Sequence, residues 1–187
     1  LIFLIIFSIF TITFFAASDT ISSNKTIHLD KNFSIEIPEY IDYSIENYAI
    51  SSEIVEHFVL TGKKEATGLS GYIQTRILNQ NLTDYIEKAQ ESLSASVYSF
   101  KATPMSLNGN IGYKISYQLN EESFKVSVLQ SLWLSENKLH IISVSAKSTD
   151  NIYNNIDDIF TELTNSITQT GDSAPSGKLN ELYIQHI

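Results

Sequence analysis

The clearest alternation of apolar and polar positions in the chain lies between residues 111 and 119. Its odd-numbered positions are all apolar: Ile111, Tyr113, Ile115, Tyr117 and Leu119. Because successive side chains of a strand point to opposite faces, this pattern predicts a strand with one buried face. Similar patterns precede and follow it, so Ala102 to Ala146 is predicted to form four consecutive strands in an antiparallel meander.

Two loops of the meander set the pairing of its strands. A four-residue loop after Leu119 places that residue opposite Phe124, and a second four-residue loop places Leu134 opposite Leu139. Both registers keep the apolar residues on one face, and a slip by one residue would turn them to the other face.

The pair Asn108-Gly109 is a strong hairpin signal. A two-residue loop would place Leu107 on the face of Asn110, whereas a three-residue loop places Leu107 opposite Ile111. The apolar pairing favours the three-residue loop, with Gly109 at positive φ.

The other face of the meander is also apolar in part, since it carries Leu129, Trp133, Ile142, Val144 and Ala146. A sheet that is apolar on both faces needs cover on both. Trp133 is predicted to lie opposite a partly buried His140.

Two segments can supply that cover, because residues 81–97 and 148–167 each carry one apolar stripe at helical spacing. The second stripe contains six large apolar residues: Ile152, Ile156, Ile159, Phe160, Leu163 and Ile167. Earlier strands are predicted within residues 27–37, 50–60 and 69–78. The predicted fold class is therefore α+β, an antiparallel sheet with a meander in its C-terminal half and helices packed on both faces.

The first 18 residues differ from the rest, because no charge precedes Asp19 and small residues stand at positions 16 to 18. This pattern is typical of a secretory signal peptide whose start lies before Leu1. The alternative is a retained membrane anchor, which would be the chain's contact with a membrane. We expect residues 19–26 to form a linker, 27–170 a single domain and 171–187 a tail.

The string Asn32-Phe33-Ser34-Ile35-Glu36-Ile37-Pro38, the helix after the early strands and the meander with its terminal helix resemble the PsbP-like family. This family includes Mog-type Ran-binding proteins, photosystem II PsbP and bacterial DcrB-like envelope proteins. The resemblance covers residues 27–170 and implies an α/β/α sandwich. It also implies an exported, non-catalytic binding or accessory protein, periplasmic or in the cell envelope if the source is bacterial.

The composition and the motifs narrow the functional classes. Twelve Lys and Arg against 21 Asp and Glu give a net charge of −9, which disfavours nucleic acid as a partner. The chain has no Cys, and its four His are far apart in sequence. Glu53 and His57 have a spacing that would suit a metal on a helix, but their surroundings equally predict a strand. No catalytic residue, metal site or cofactor is predicted; the alternatives are a hydrolase assembled from distant residues and a purely structural domain.

An acidic stretch without Lys or Arg separates Lys31 from Lys63. It is predicted to be an exposed loop, either a solvated acidic face or a recognition surface for a basic protein partner. The candidate partner surface consists of seven residues: Glu36, Glu39, Tyr40, Asp42, Tyr43, Glu46 and Tyr48.

The apolar N-terminus generates a direct prediction about the mature protein. We expect the exported protein to begin near Asp19, because the small residues that precede it suit a signal peptidase. N-terminal sequencing of the exported protein measures this, and a chain that still carries Leu1 to Ala17 would mean that the segment is an anchor.

Overall fold

The computed structural model describes residues 25–29, 32–46, 53–93 and 96–170. The predicted signal or anchor and the predicted tail lie outside these residues. The strands have the following bounds: β1 Lys25–Leu29, β2 Phe33–Ile37, β3 Ile41–Ile45, β4 Ile54–Gly62, β5 Ser70–Ile77, β6 Val97–Leu107, β7 Asn110–Asn120, β8 Lys125–Ser135, β9 Lys138–Lys147 and β10 Thr168–Gln169. The two α-helices are α1 Leu82–Leu93 and α2 Ile156–Asn165.

The strands form two antiparallel sheets. The large sheet has seven strands in the order β3-β4-β5-β9-β8-β7-β6, and the small sheet has the order β1-β2-β10. The predicted meander is β6 to β9, and α1 carries the chain from β5 in the middle of the sheet to β6 at its edge. The predicted α+β class with an antiparallel sheet is confirmed.

Alternate residues of β8 enter two different hydrophobic cores. Leu129 and Trp133 belong to a first core, which they share with Phe160 of α2. Val128 and Leu132 belong to a second core, which they share with Tyr85 of α1. Since neighbouring side chains of a strand point to opposite faces, β8 is buried on both sides.

The first core also holds the small sheet. Leu29, Phe33 and Ile35 of β1 and β2 are fully buried there. The predicted stripe of the second helix is buried at all six positions: Ile152, Ile156, Ile159, Phe160, Leu163 and Ile167. The helix itself is shorter than predicted, because residues 151–155 form a 3₁₀ turn and the chain leaves α2 after Asn165 to pair β10 with β2.

The two predicted loop registers have different outcomes. Leu134 pairs with Leu139, as predicted. Leu119 pairs with Val126 rather than with Phe124, so that register was wrong by two residues. A shift by two keeps every side chain on its face, and the apolar pattern therefore could not distinguish the two pairings.

The predicted three-residue loop at Asn108 was wrong. Leu107 pairs with Asn110, and the loop has two residues with positive φ, 50° at Asn108 and 79° at Gly109. Such a turn matches the right-handed twist of the flanking strands. Leu107 is not lost to solvent by this register, because it packs against the first core.

The start of β6 contains a β-bulge. The register shifts between Tyr98 and Lys101, and Ser99 between them has a φ of 57°. The bulge lets Val97 and Ala102 both pack against the second core although their positions differ in parity. The first helix was predicted to extend to Val97 and instead ends at Leu93, because Val97 pairs with Leu119 in the sheet.

Trp133 and His140 lie opposite each other on β8 and β9, as predicted. Their rings stack with centroids 5.1 Å apart, and Phe33 contacts both rings edge-on. His140 is fully buried rather than partly buried, and its Nδ1 forms a 3.1 Å hydrogen bond with the Thr75 hydroxyl. Opposite Trp133 on β7 stands Gly112, where a Cβ would lie 2.3 Å from a backbone oxygen.

Within the described part of the chain, no helix is long and apolar enough to cross a membrane.

Phe160 tests whether α2 closes the first core. Its ring is 2% exposed and lies 5.1 Å below the Lys114 amine. We expect Phe160→Ala to lower the free energy of unfolding by about 3–5 kcal/mol, measured by urea unfolding, because it leaves a cavity. The control Tyr98→Ala, at a residue 58% exposed, should change it by about 0.5 kcal/mol at most. If Phe160→Ala costs no more than the control, α2 is peripheral to the core.

Candidate functional site

The acidic stretch is not the loop that the sequence predicted, because it contains strand β3 at one edge of the large sheet. Ile41 at the start of this strand is fully buried and belongs to the first core. One anchored apolar residue and pairing with β4 are enough to order the segment. Tyr48 lies outside the described residues.

Asp42 is paired with two lysines of the same chain. Its carboxylate accepts hydrogen bonds from the amines of Lys25 and Lys63, the latter at 2.9 Å. These hydrogen bonds lower the pKa of Asp42 below its usual range. Both lysines lie outside the lysine-free stretch in sequence, so the pairing could not be inferred from it.

Tyr40 and Tyr43, the two tyrosines of the candidate partner surface that the structure describes, are half-buried and contact the first core. The Tyr40 hydroxyl donates to the Glu162 carboxylate on α2. Tyr43 packs edge-on against Phe58, with ring centroids 6.1 Å apart. Both side chains therefore fasten β3 and its turn to the domain.

Three carboxylates of the candidate partner surface are exposed: Glu36, Glu39 and Glu46. They stand on β2, in the turn after it and after β3. None of them lines the cavity described next.

A cavity of about 110 Å³ lies on the second-core side of the large sheet, beneath helix α1. We call it the α1 cavity. Helix α1 forms one wall of the cavity. Strands β5, β7, β8 and β9 form its floor, and β6 lies at one side. The N-terminus of the helix is capped, since the Asn81 side chain accepts a 2.7 Å hydrogen bond from the Asp84 amide.

Much of the wall of the α1 cavity is apolar. Its apolar side chains include Leu93, Phe100, Ile115, Leu132 and Ile141. These residues come from five different elements, so no local sequence motif marks them.

Three tyrosines also line the α1 cavity: Tyr72, Tyr85 and Tyr117. Burial raises the pKa of each hydroxyl above its ordinary value. The guanidinium of Arg76, which pairs with Glu53, opposes that rise at Tyr85. All three hydroxyls therefore stay protonated and neutral near pH 7.

The polar wall is ordered by a small hydrogen-bond network. The Gln130 amide donates to the Tyr72 hydroxyl and to the Ser143 hydroxyl, each at 3.2 Å. Tyr117 differs, because its hydroxyl forms no hydrogen bond with another described residue and its ring stacks on Phe100 at 6.3 Å.

Lys88 lines the cavity from the exposed side of α1. Its amine donates a 2.7 Å hydrogen bond to the Gln80 side chain, which also lines the cavity. A cationic group is thereby held beside an apolar hollow.

His57 stands behind one wall of the α1 cavity. Its ring stacks on Tyr72, with centroids 5.5 Å apart, and its Nδ1 forms a 3.0 Å hydrogen bond with the Gln74 amide. Burial lowers the pKa of His57, and the charge of Glu46 opposes the shift. His57 and Glu53 lie on or next to β4, a strand and not a helix, and no group of three metal-ligating side chains occurs among the described residues.

The sequence analysis missed the α1 cavity. The sequence does place tyrosines at core positions where an aliphatic residue would also fit. They are Tyr85 in the helix stripe and Tyr113 and Tyr117 in β7. A buried tyrosine brings a hydroxyl that needs a partner, and this can mark a polar wall. The pattern alone does not tell which of these tyrosines reach a common hollow.

The buried His57 makes stability depend on pH. Its pKa is lower in the folded than in the unfolded protein, so the unfolded state binds more protons below about pH 6.5, and stability falls as the pH falls through this range. We expect His57→Gln to reduce the slope of unfolding free energy against pH between about pH 7 and pH 5 by up to 1.4 kcal/mol per pH unit. The exposed control His28→Gln should keep the wild-type slope. An unchanged slope in His57→Gln would mean that another group dominates.

The fold was compared with known proteins. No family model matches the sequence, and no curated protein matches it. The solution structure of cyanobacterial PsbP from Synechocystis sp. PCC 6803 is similar, with a TM-score of 0.57 and 10% identity over 82% of this chain and 98% of that chain. The crystal structure of LpqN from Mycobacterium tuberculosis, described as involved in cell envelope biogenesis, is similar with a TM-score of 0.51 and 11% identity over 79% of this chain and 90% of that chain.

At these identities the likeness concerns the fold, and it confirms at that level the resemblance drawn from the sequence. The two similar structures are covered nearly from end to end, so the match extends over most of the fold. The chain has the PsbP-like α+β fold.

Proposed function

We propose that this chain is an exported, non-catalytic accessory protein of the cell envelope that acts by binding a small molecule in the α1 cavity. The observation that carries the proposal is the cavity itself, a largely apolar hollow with a few ordered polar groups beneath one helix. Such a combination is the usual make-up of a ligand site.

The lining groups favour binding over catalysis. The titratable side chains of the cavity wall are three tyrosines and Lys88. A general base at neutral pH needs a pKa near 7, whereas burial moves the pKa of these hydroxyls upward and away from that value. Protonated hydroxyls suit the donation of hydrogen bonds to a ligand.

The location in the envelope has two supports. One is the apolar, charge-free N-terminal stretch before Asp19. The other is the fold shared with LpqN, whose description concerns cell envelope biogenesis. The two cores on opposite sides of β8 likewise support the finer description of the fold as a sandwich with a helix on each face.

Two alternatives remain as outcomes of the test. A hydrolase assembled from distant residues would need nucleophilic or acid-base groups that converge on a substrate. A purely structural domain would bind no small molecule in the α1 cavity.

A basic protein partner remains a second proposal, at the exposed carboxylates Glu36, Glu39 and Glu46. Its support is their exposure together with the absence of Lys and Arg from residues 32–62. Asp42 is already paired with Lys25 and Lys63, so the proposal draws its support from these three side chains.

The test is NMR titration of the full chain with phenol, hexanoate, benzoate, benzamide and benzamidine. We expect at least one of them to bind with a dissociation constant of about 1 mM or tighter. The shifted amides should cluster on α1 and on the strands that form the cavity floor. Shifts scattered over the surface, or none, would contradict the proposed function.

Matched variants on α1 show whether binding takes place in the cavity. Ala89 lines the cavity, whereas its neighbour Gln90 is exposed and does not. Ala89→Phe should fill the hollow and abolish binding while the protein stays folded, and Gln90→Phe should bind like the wild type. Equal binding by both variants would mean that the ligand binds outside the α1 cavity, which would refute the proposal.

A further inference from the structure

We propose that the α1 cavity selects a small carboxylate with an apolar body, an aryl or short-chain acid, over neutral and cationic molecules of the same shape. This inference rests on the proposed function and adds the chemical class of the ligand. Three features of the cavity carry it: its size, its one cationic side chain and one hydroxyl in its wall.

The size of the cavity limits the apolar body of the ligand. A volume of about 110 Å³ is somewhat smaller than the roughly 150 Å³ of an engineered apolar cavity that holds benzene. The α1 cavity therefore has room for no more than one ring or a short chain. Phe100, Ile115 and Leu132 offer apolar contact to such a body.

The cavity wall carries a positive charge, whereas the whole protein carries a negative one. The chain carries a net charge of −9, yet Lys88 lines the cavity and no Asp or Glu of the described residues does. The acidic residues of α1, Asp84, Glu87 and Glu91, are exposed and do not belong to the wall. A ligand in the hollow therefore meets a positive group.

Lys88 can bind an anion without losing its present contact. Its amine donates to Gln80 at 2.7 Å, which holds it at the cavity. An ammonium group has three donors, so further donors are available for a ligand carboxylate. Hydrogen bonds between ionised partners are shorter and stronger than neutral ones.

The Tyr117 hydroxyl can donate a hydrogen bond to a ligand. The side chain is 4% exposed and lines the cavity, and its hydroxyl has no hydrogen-bond partner among the described residues. The Tyr72 hydroxyl, in contrast, already accepts from Gln130. Because the Tyr117 side chain lines the cavity, its hydroxyl can donate to an oxygen atom of a ligand there.

Because its pKa is raised by burial, Tyr117 stays protonated and acts as a donor. The complementary ligand group is an acceptor, and a carboxylate is an acceptor with four lone-pair sites. Amidinium and ammonium groups carry donors and a positive charge, so they offer the Tyr117 proton no acceptor and are repelled by the Lys88 ammonium.

The test compares three ligands of nearly equal shape: benzoate, benzamide and benzamidine. They carry a negative, a neutral and a positive head group on the same ring. We expect the full chain to bind benzoate at least tenfold more tightly than benzamidine, with benzamide between them, as measured by NMR titration at low ionic strength.

Two variants separate the roles of the charge and the hydroxyl. Lys88→Gln should remove the gap between benzoate and benzamide, because it removes the charge and keeps a polar side chain. Tyr117→Phe should weaken benzoate about tenfold, since it removes a hydrogen bond to a charged group. The exposed residues Lys101 and Tyr98 provide the matched controls Lys101→Gln and Tyr98→Phe, which should bind all three ligands like the wild type.

The outcomes distinguish this inference from the proposed function. If none of the three benzene derivatives nor phenol or hexanoate binds, the proposed function fails. If the three derivatives bind equally, or benzamidine binds best, the cavity is a ligand site and the selection of carboxylates is refuted. A benzoate preference that persists in Lys88→Gln and Tyr117→Phe would likewise refute the roles given to these residues.

Discussion

The structure depends on one constraint, that strand β8 is apolar on both faces and must be covered on both. Leu132 and Trp133 are adjacent in sequence, yet they are buried in different cores, at 2% and 0% exposure. A strand of this kind cannot stand at a solvent-facing surface of a sheet. Residues of α2 and the small sheet belong to the first core, and residues of α1 belong to the second.

The two cores are built differently, and the α1 cavity lies on the side of the second core. The first core is closed by a helix and a second sheet, with stacked Trp133 and His140 against Phe33. The second core is covered by α1, which spans 12 residues over a wider sheet. Beneath this single short helix, three tyrosines with buried hydroxyls and Gln130 line the α1 cavity together with its apolar side chains.

Periodicity predicted what depends on side-chain direction. The buried faces of β7 and β8, the burial of Phe160 and the pairing of Trp133 with His140 all follow from alternation along a strand or a helix. A shift of the pairing by two residues leaves the alternation unchanged. The predicted partner of Leu119 was therefore wrong by two residues. At Asn108 the backbone preference of the turn overrode the apolar pairing that the sequence suggested.

The candidate sites illustrate a second limit. The acidic stretch was recognised from composition, but Asp42 is paired with Lys25 and Lys63, which adjoin it only in the folded chain. The α1 cavity combines residues separated by up to 69 positions, from Tyr72 to Ile141. A local sequence pattern predicts neither which charged residues form ion pairs nor where a cavity forms between a helix and a sheet.

The shape of β6 bears on how the protein behaves at high concentration. This strand of 11 residues is an outer edge of the large sheet, and an unprotected edge is a template for strand addition and aggregation. The bulge at Ser99 interrupts its regular ladder, and Pro104 lacks the amide that a neighbouring chain would need. Lys101 between them adds a charge on an exposed side chain. The same bulge that brings Val97 into the second core thus also discourages one molecule from extending its sheet into another.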